Sequence, residues 1–347
     1  MSPPVLTPVL DITLPDSLEA HEPPEARGLT RDAVRLLVSF TDSDLIEHAQ
    51  FTDLPGFLRP GDLLVINVSA TLPAALTARR EDGTEVLAHI STRLPAEMTV
   101  VEFREAHVSA GETFALPGNG AIALLAPYPG SQRLWVTRLE LPEPLLPYLE
   151  RWGKPITYPY IRGSWPIEIY RNVYATVPGS AEMPSAGRAF TAEMMDRLAR
   201  GGIFFAPVIL HTGVSSLEHN EPPYQEYFEV PHEAVAAIQR AKKRKNRVIA
   251  VGTTAVRALE SAADKAGRPI ATRGWTDLVI TPECRLQVVD SLLTGFHEPK
   301  ATHLAILEAL VERDSVARAY QAALEAGYLW HEFGDLHLIL PDGASSR

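Results

Sequence analysis

The chain has 347 residues, 46% of them hydrophobic and 22% charged, a balance ordinary for a globular protein with room for a large core and two domains. Its 43 acidic and 32 basic residues give a net charge of −11, which argues against indiscriminate nucleic-acid binding but leaves room for a local basic patch. A single cysteine, Cys284, excludes an intramolecular disulfide and any multi-cysteine zinc or iron–sulfur site, and no apolar run approaches the ~20 residues that span a bilayer. The N-terminal residues lack the basic-then-apolar order of a secretion signal, so a cytoplasmic protein with no membrane partner is expected.

Residues 1–30 are rich in Pro and Glu and read as an extended arm over the body. "VRLLVSF" (34–40) reads as a strand, and "FTDLPGFLRPGDLLVIN" as a short helix or turn, a Pro60-Gly61 break and an apolar strand through Asn67. From 73 to 146 short β-rich runs alternate with Gly, Pro, Asn and Ser at roughly ten-residue spacing, the pattern of a small β-barrel or sandwich. The chain then turns α/β. "TAEMMDRLARGG" predicts a helix capped by Thr191 and stopped at Gly201, followed by the strand "FFAPVIL". A helix from Pro231 to 245, a strand at 246–251, strands around "DLVITP" and "RLQVVDSLLTGF", and a last helix over 300–326 complete it. The expected fold class is α/β, a mixed sheet with packed helices and an inserted β-barrel: residues 1–72 plus 147–347 form the larger, discontinuous domain and 73–146 the insert.

"NRVIAVGTTAVRALESAA" (246–263) packs a buried strand, a Gly-Thr-Thr turn and an amphipathic helix together, with Thr253 or Thr254 as the expected cap. Arg257 in the first turn opposes the helix macrodipole, by roughly 0.3–1 kcal/mol, unless an anion joins both. Two readings stand: an anion site, or an i, i+3 ion pair with Glu260 on a solvated face. "RAKKRKNR" (240–247), with Lys242, Lys243 and Arg244, is either a phosphate-binding patch or a solvated helix end. No G-x-G-x-x-G, Walker A loop or G-x-S-x-G is present. His211, His219, His297, His303, His331 and His337 lie near strand ends, but none forms a helical H-x-x-x-H pair, so no metal is expected. What remains is a set of small and polar strand-end segments: "PSAGRAFT" (184–191), "HTG" (211–213), "GTTAVR" (252–257), "TGFHEP" (294–299) and "FGD" (333–335). Ligands favour that edge of an α/β sheet because small residues let backbone amides approach them.

In this order the segments resemble the S-adenosylmethionine:tRNA ribosyltransferase-isomerase family of queuosine biosynthesis, over nearly the whole chain. "FTDLPGFLRPGDLLVIN" is similar to the family's F-x-D-L-P-x-x-L-x-x-G-D-L-L-V-x-N, and "NVYA" to Y-Q-T-V-Y-A. "PSAGRAFT" is similar to P-T-A-G-L-H-F-T, and "NRVIAVGTTAVRALES" to R-V-I-A-V-G-T-T-S-V-R-x-L-E-S. "VDSLLTGFHEPKAT" is similar to V-D-x-L-I-T-N-F-H-L-P-x-S-T, and "FGD" to Y-G-D. The resemblance implies an α/β domain with an inserted β-barrel, and a transferase and isomerase activity in tRNA modification. The family transfers and isomerises the ribosyl moiety of S-adenosyl-L-methionine onto 7-aminomethyl-7-deazaguanine in the tRNA anticodon, giving epoxyqueuosine and releasing adenine and methionine. The sulfonium acidifies the adjacent ribose C–H, so a positioned base can form an ylide and expel adenine before the amine attacks.

Carried onto this chain, the resemblance implies His211, His297 and Asp335 as catalytic candidates and Ser185, Gly187, Gly252, Thr253, Thr254 and Arg257 as the S-adenosylmethionine site. Asn67, Glu226, Asp290, Lys242, Lys243 and Arg244 are the expected substrate-binding residues, the partner being the tRNA anticodon region or a small-molecule acceptor, and the expected assembly a monomer. The chain departs from the pattern in several motifs. N-D-T-R-V becomes Asn67-Val68-Ser69-Ala70-Thr71, and the Leu-His of L-H-F-T becomes Arg188-Ala189. G-A-G-T-F gives way to "TGVSSL", Glu221 and Tyr224 stand where histidines are expected, and the Asn of T-N-F-H is Gly295. Alternative readings are a paralogue using S-adenosylmethionine on another acceptor and a non-catalytic binding module.

Overall fold

The computed structural model describes residues 13–214, 224–298 and 303–342. Seventeen strands fall in the described residues. Those of the α/β body are β1 (Arg35–Phe40), β2 (Ile46–Gln50), β3 (Leu63–Asn67), β4 (Ser69–Thr71), β11 (Val177–Ser180), β12 (Phe204–Leu210), β13 (Glu226–Val230), β14 (Val248–Val251), β15 (Thr272–Thr276), β16 (Ser291–Gly295) and β17 (Leu336–Leu340). The barrel strands are β5 (Ala75–Arg79), β6 (Glu85–Arg93), β7 (Met98–Arg104), β8 (Thr113–Leu116), β9 (Gly120–Pro127) and β10 (Leu134–Glu140). The helices are α1 (Leu54–Phe57), α2 (Leu145–Trp152), α3 (Ala192–Arg200), α4 (His232–Lys243), α5 (Thr253–Ser261), α6 (His303–Leu310) and α7 (Arg313–Glu325).

A nine-stranded mixed sheet in the order β15-β13-β12-β3-β14-β16-β17-β1-β2 organises the body. Its central strands β12, β3, β14 and β16 are mutually parallel, with Leu63 registered against both Phe204 and Val248. Strand periodicity sorts their residues onto two faces. Leu63, Val65, Val248 and Ala250 pack with α4, α5, α6 and α7, whereas Leu64, Ile66, Ile249 and Val251 pack with Phe51, Leu54, Met194 and Leu198 on the other side. Strands buried on both faces read as unbroken apolar runs, which is why 248–251 alternates poorly.

The six barrel strands close in the order β10-β7-β6-β5-β8-β9. Tyr148 and Leu149 of α2 enter the barrel core beside Phe103 and Phe114, and the Tyr148 hydroxyl donates to the Pro117 carbonyl at 2.6 Å. Gly153 is required where the chain returns to the body, because a Cβ there would collide with the Pro73 carbonyl. Among the described residues no helix is long and apolar enough to cross a membrane.

Local structure differs from the sequence expectations in four places. The Thr191 hydroxyl accepts from the Met194 amide at 3.1 Å and Gly201 ends α3, both as expected. The expected last helix instead breaks into α6 and α7 at Val311-Glu312, and residues 299–302 lie outside the described ones. The strand anticipated around "DLVITP" lies earlier, as β15, because it pairs with β13. Only Ser291–Gly295 of "RLQVVDSLLTGF" is strand. Gly252, not Thr253 or Thr254, caps α5: its φ of 87° suits glycine, and no side-chain oxygen bonds the first-turn amides.

Candidate active site at the carboxyl edge of the sheet

The carboxyl ends of β12, β3, β14 and β16 bring His211, Asn67, Gly252 and Gly295 to one edge of the sheet. β17 and β1 run the opposite way, so their amino ends add Asp335 and Arg35 to that edge. The barrel approaches it too: the Ser91 hydroxyl accepts from the Val214 amide at 3.0 Å and lies 2.9 Å from the Tyr224 hydroxyl.

Asn67 is a latch. Its amide nitrogen donates to the Leu210 carbonyl (2.9 Å) and Thr254 Oγ1 (3.2 Å), and its Oδ1 accepts from the Leu210 and Ser69 amides (3.0 and 3.1 Å). With two donors and two acceptor positions used inside the chain, the Asn67 amide joins β3, β12 and α5.

His211 Nδ1 lies 2.7 Å from Ser69 Oγ, which is 2.6 Å from Ser180 Oγ, and the Thr212 amide donates to Ser180 at 3.1 Å. The imidazole stacks on Tyr227 and packs so closely over Gly179 that any Cβ there would overlap the ring. Burial, helped by Arg93, lowers the His211 pKa to about 4, which keeps the ring neutral at pH 7. His297 is similar. Its Nε2 lies 3.0 Å from Thr294 Oγ1, its ring stacks on His303 at 4.7 Å, and burial with two neighbouring imidazoles holds it well below the usual histidine range.

Arg257 answers neither sequence reading as stated. Its guanidinium pairs with Glu226 of β13, and its remaining donors reach the carbonyls of Leu278 (3.0 Å), Tyr224 (3.2 Å) and Thr276 (3.3 Å). Glu226 also accepts from the Gly213 amide at 2.9 Å, so burial pushes its carboxyl up while Arg257 and that amide pull it back. Glu260 does not pair with Arg257, because it accepts the backbone amides of Gln287, Val288 and Val289 at 2.8–3.1 Å. The anion that Arg257 joins within the chain is Glu226.

Asp335 is likewise engaged by the chain. Its two oxygens accept the Arg35 and Leu329 amides, each at 2.7 Å, in a buried position that raises its pKa chiefly by desolvation. In this arrangement Asp335 clamps the backbone at the start of β1 to the turn before β17. Gly187 is needed because any Cβ would strike the Tyr174 hydroxyl.

Asp290, Lys242, Lys243 and Arg244 lie at the opposite edge. Asp290 precedes β16, accepts the Val248 amide at 2.9 Å at the start of β14, and pairs with Lys242 at 2.5 Å. The four residues of β14 separate it from Gly252, roughly 13 Å at the strand rise, so the structure does not bring these four together with Asn67 and Glu226. Lys243 and Arg244 are exposed at the end of α4. His219 and Glu221 fall outside the described residues.

Sequence reasoning missed two carboxylates at the productive edge. Glu332 accepts from the Tyr160 hydroxyl at 2.6 Å, and Glu182 accepts from the Tyr158 hydroxyl. The rings form a stack in which Tyr160 lies 5.7 Å from Tyr158 and 4.0 Å from His331. The available signal was the placement of each acid inside a small-residue strand-end segment, "SAEMPSAG" and "HEFGD".

Comparison with known proteins gives one consistent result. The profile of a family described as queuosine biosynthesis protein matches residues 9–339. An S-adenosylmethionine:tRNA ribosyltransferase-isomerase of Gloeobacter violaceus is 36% identical over 346 residues, covering 97% of this chain and 96% of the relative. That of Thermus thermophilus is 36% identical over 348 residues, covering 94% and 99%. The crystal structure of an S-adenosylmethionine tRNA ribosyltransferase from Thermotoga maritima aligns with a TM-score of 0.55 at 31% identity, covering 96% of this chain and 100% of that one.

Proposed function

The chain belongs to the queuosine biosynthesis protein family, and from that membership we propose that it is an S-adenosylmethionine:tRNA ribosyltransferase-isomerase. S-Adenosylmethionine is its substrate and tRNA its acceptor, the ribosyl moiety going to an aminomethyl-deazaguanine of the anticodon region. The observation that carries the reading is the convergence of His211, the Gly252 turn, Ser185 and two tyrosine-held carboxylates at the carboxyl edge of the parallel central strands of the mixed sheet.

The edge suits a ligand approached by backbone. Gly252 has a φ of 87° and Ala186 lies only 3.4 Å from where its Cβ would stand, so the turn brings the amide end of α5 to the edge. Ser185, Gly252 and Thr253 would hold S-adenosylmethionine there, with Thr254 tied to Asn67 and Arg257 supporting the wall through Glu226. When bound, the substrate supplies a sulfonium that acidifies the neighbouring ribose C–H. The chain supplies the rest: orientation by the strand-end turns, exclusion of water by the docked barrel, and a proton-transfer group. The Lys243 and Arg244 patch is assigned to tRNA phosphates rather than to the modified base. A discontinuous larger domain (1–72 and 147–347) with the 73–146 insert, a monomeric state and a cytoplasmic setting belong to the same reading.

The test is mass spectrometry of the purified protein with S-adenosylmethionine, with and without tRNA carrying the aminomethyl-deazaguanine precursor. tRNA-dependent release of adenine and methionine is expected. Turnover without tRNA would replace the reading with transfer to another acceptor, and binding without turnover would replace it with a non-catalytic module.

A further inference from the structure

Three of the positions at which this chain departs from the family pattern line a single small cavity. Arg188 and Ala189 stand in place of Leu-His, Gly295 in place of Asn, and all three face it together with Ser185 and Glu332. Each departure has a physical consequence. Ala189 offers a methyl group in place of an imidazole, Gly295 offers no side chain, and Ser185 Oγ lies 3.9 Å from where a Gly295 Cβ would be. The Arg188 guanidinium is engaged by groups other than the cavity's acid. Its Nη2 donates to Glu25 at 2.8 Å, its Nε donates to the Ile169 carbonyl at 3.0 Å, and its guanidinium lies over the Phe333 ring. Glu332 forms no ion pair among the described residues, and its carboxylate is stabilised by the Tyr160 hydroxyl and by its own backbone amide.

We propose that Glu332 is the proton-transfer group of the reaction, at the wall of the small cavity where Ala189 and Gly295 stand in place of the pattern's His and Asn. This rests on the function proposed above. The step balances on one carboxyl group. The ribose C–H bond beside the sulfonium breaks, its proton goes to the Glu332 carboxylate, and its electron pair stays on the carbon. The bond from the ribose to adenine then breaks, its electron pair leaves with the adenine nitrogen, and that nitrogen takes the proton back from Glu332. No outside acid or base is consumed.

The surroundings support the assignment. The groups around Glu332 and its cavity are the Tyr160, Tyr158 and Tyr170 hydroxyls, Glu182, the neutral His331 ring, and two arginines with partners elsewhere, Arg188 on Glu25 and Arg31 on Glu25 and the carbonyls of Arg171 and Glu168. Burial, with a small contribution from Glu182, pushes the Glu332 carboxyl up to about 7, where an acid–base group works best at neutral pH. Burial has driven His211 and His297 the other way, to weak basicity.

The experiment compares wild type, Glu332→Gln, Glu332→Asp and Tyr160→Phe in tRNA-dependent adenine release from pH 5 to 9, with S-adenosylmethionine affinity and melting temperature measured on each. Glu332→Gln should lose about 10²–10⁴-fold in rate and lose the acid limb of the pH profile, with affinity unchanged within threefold. Glu332→Asp should regain part of the rate, and Tyr160→Phe should shift the limb upward, since the hydroxyl stabilises the carboxylate. An active wild type with Glu332→Gln within threefold of it, or with an unmoved acid limb, overturns the assignment alone. A wild type that releases no adenine with tRNA overturns the functional reading and the assignment with it.

Discussion

Arg257 of α5 and Glu226 of β13 form an ion pair whose side chains are only 12% and 13% exposed, joining the start of the second turn of that helix to the neighbouring strand system. A cation early in a helix is unfavourable only while it stays near the macrodipole's positive end. Here the guanidinium reaches past the helix end to a carboxylate and three carbonyls, so the pair bonds α5 to the wall of the edge. Arg257→Ala leaves Glu226 buried without a counter-charge and should destabilise the fold by about 3–5 kcal/mol, read by urea denaturation. The Arg257→Met, Glu226→Leu double variant should recover most of that loss, since neither charge is then stranded. A single variant as stable as wild type would refute the pairing.

Five histidines at or near the sheet are driven down by burial: His211, His303 and His331 to about 4, His337 to about 3, and His297 well below its usual range. Unfolding lets each take up a proton between its folded value and about 6.5. Their stabilisation is therefore complete above pH 6.5 and is lost as the pH falls toward 4, with each titrating histidine adding up to about 1.4 kcal/mol per pH unit to the slope. Proton uptake on unfolding at pH 5, measured by calorimetry in buffers of different ionisation enthalpy, should fall by close to one proton in His337→Gln. An unchanged uptake would show that His337 is protonated in the folded protein.

Glu332 acts with the opposite sign. A carboxyl raised to about 7 keeps its proton in the folded state while the unfolded chain ionises near pH 4.3, so its contribution declines as pH rises from about 4.5 to 7. Glu332→Gln should remove that decline and gain on wild type at pH 8 by at most about 4 kcal/mol. Stability curves of wild type and variant that run parallel from pH 5 to 8 would contradict the raised value.

Gly252→Ala places a Cβ at a φ of 87°, in a region that L residues occupy only under strain, and within 3.4 Å of Ala186. The cost should be about 1–3 kcal/mol, seen as a lower melting temperature, together with weaker S-adenosylmethionine binding because the turn must shift. Binding retained at wild-type affinity would remove the turn from the proposed site.

Charge reversal at Lys243 and Arg244 should weaken tRNA affinity and flatten its salt dependence, with the slope falling by about 0.7–0.9 for each phosphate no longer neutralised. Because both side chains are exposed, the melting temperature should be unaffected. Equal salt slopes before and after would place the tRNA elsewhere on the surface.

What could be read along the chain was whatever neighbours in sequence decide. The Thr191 cap and Gly201 stop of α3, the doubly buried run 248–251 and the turn spacing of the barrel strands depend on backbone propensity and apolar period, which act over a few residues. The motif order was likewise legible, and with it the carboxyl edge of the sheet. The partners of charged and polar groups were not. Arg257 finds Glu226 rather than Glu260, Asp335 clamps two amides, Asn67 exhausts its bonds inside the chain, and Asp290 with Lys242 lies a strand length away from Gly252. Glu332 reached significance only when the fold set it beside Ala189, Gly295 and Tyr160. A side chain's charge, tautomer and free hydrogen-bonding capacity depend on burial and on contacts made across tens or hundreds of residues, and only the tertiary structure supplies those.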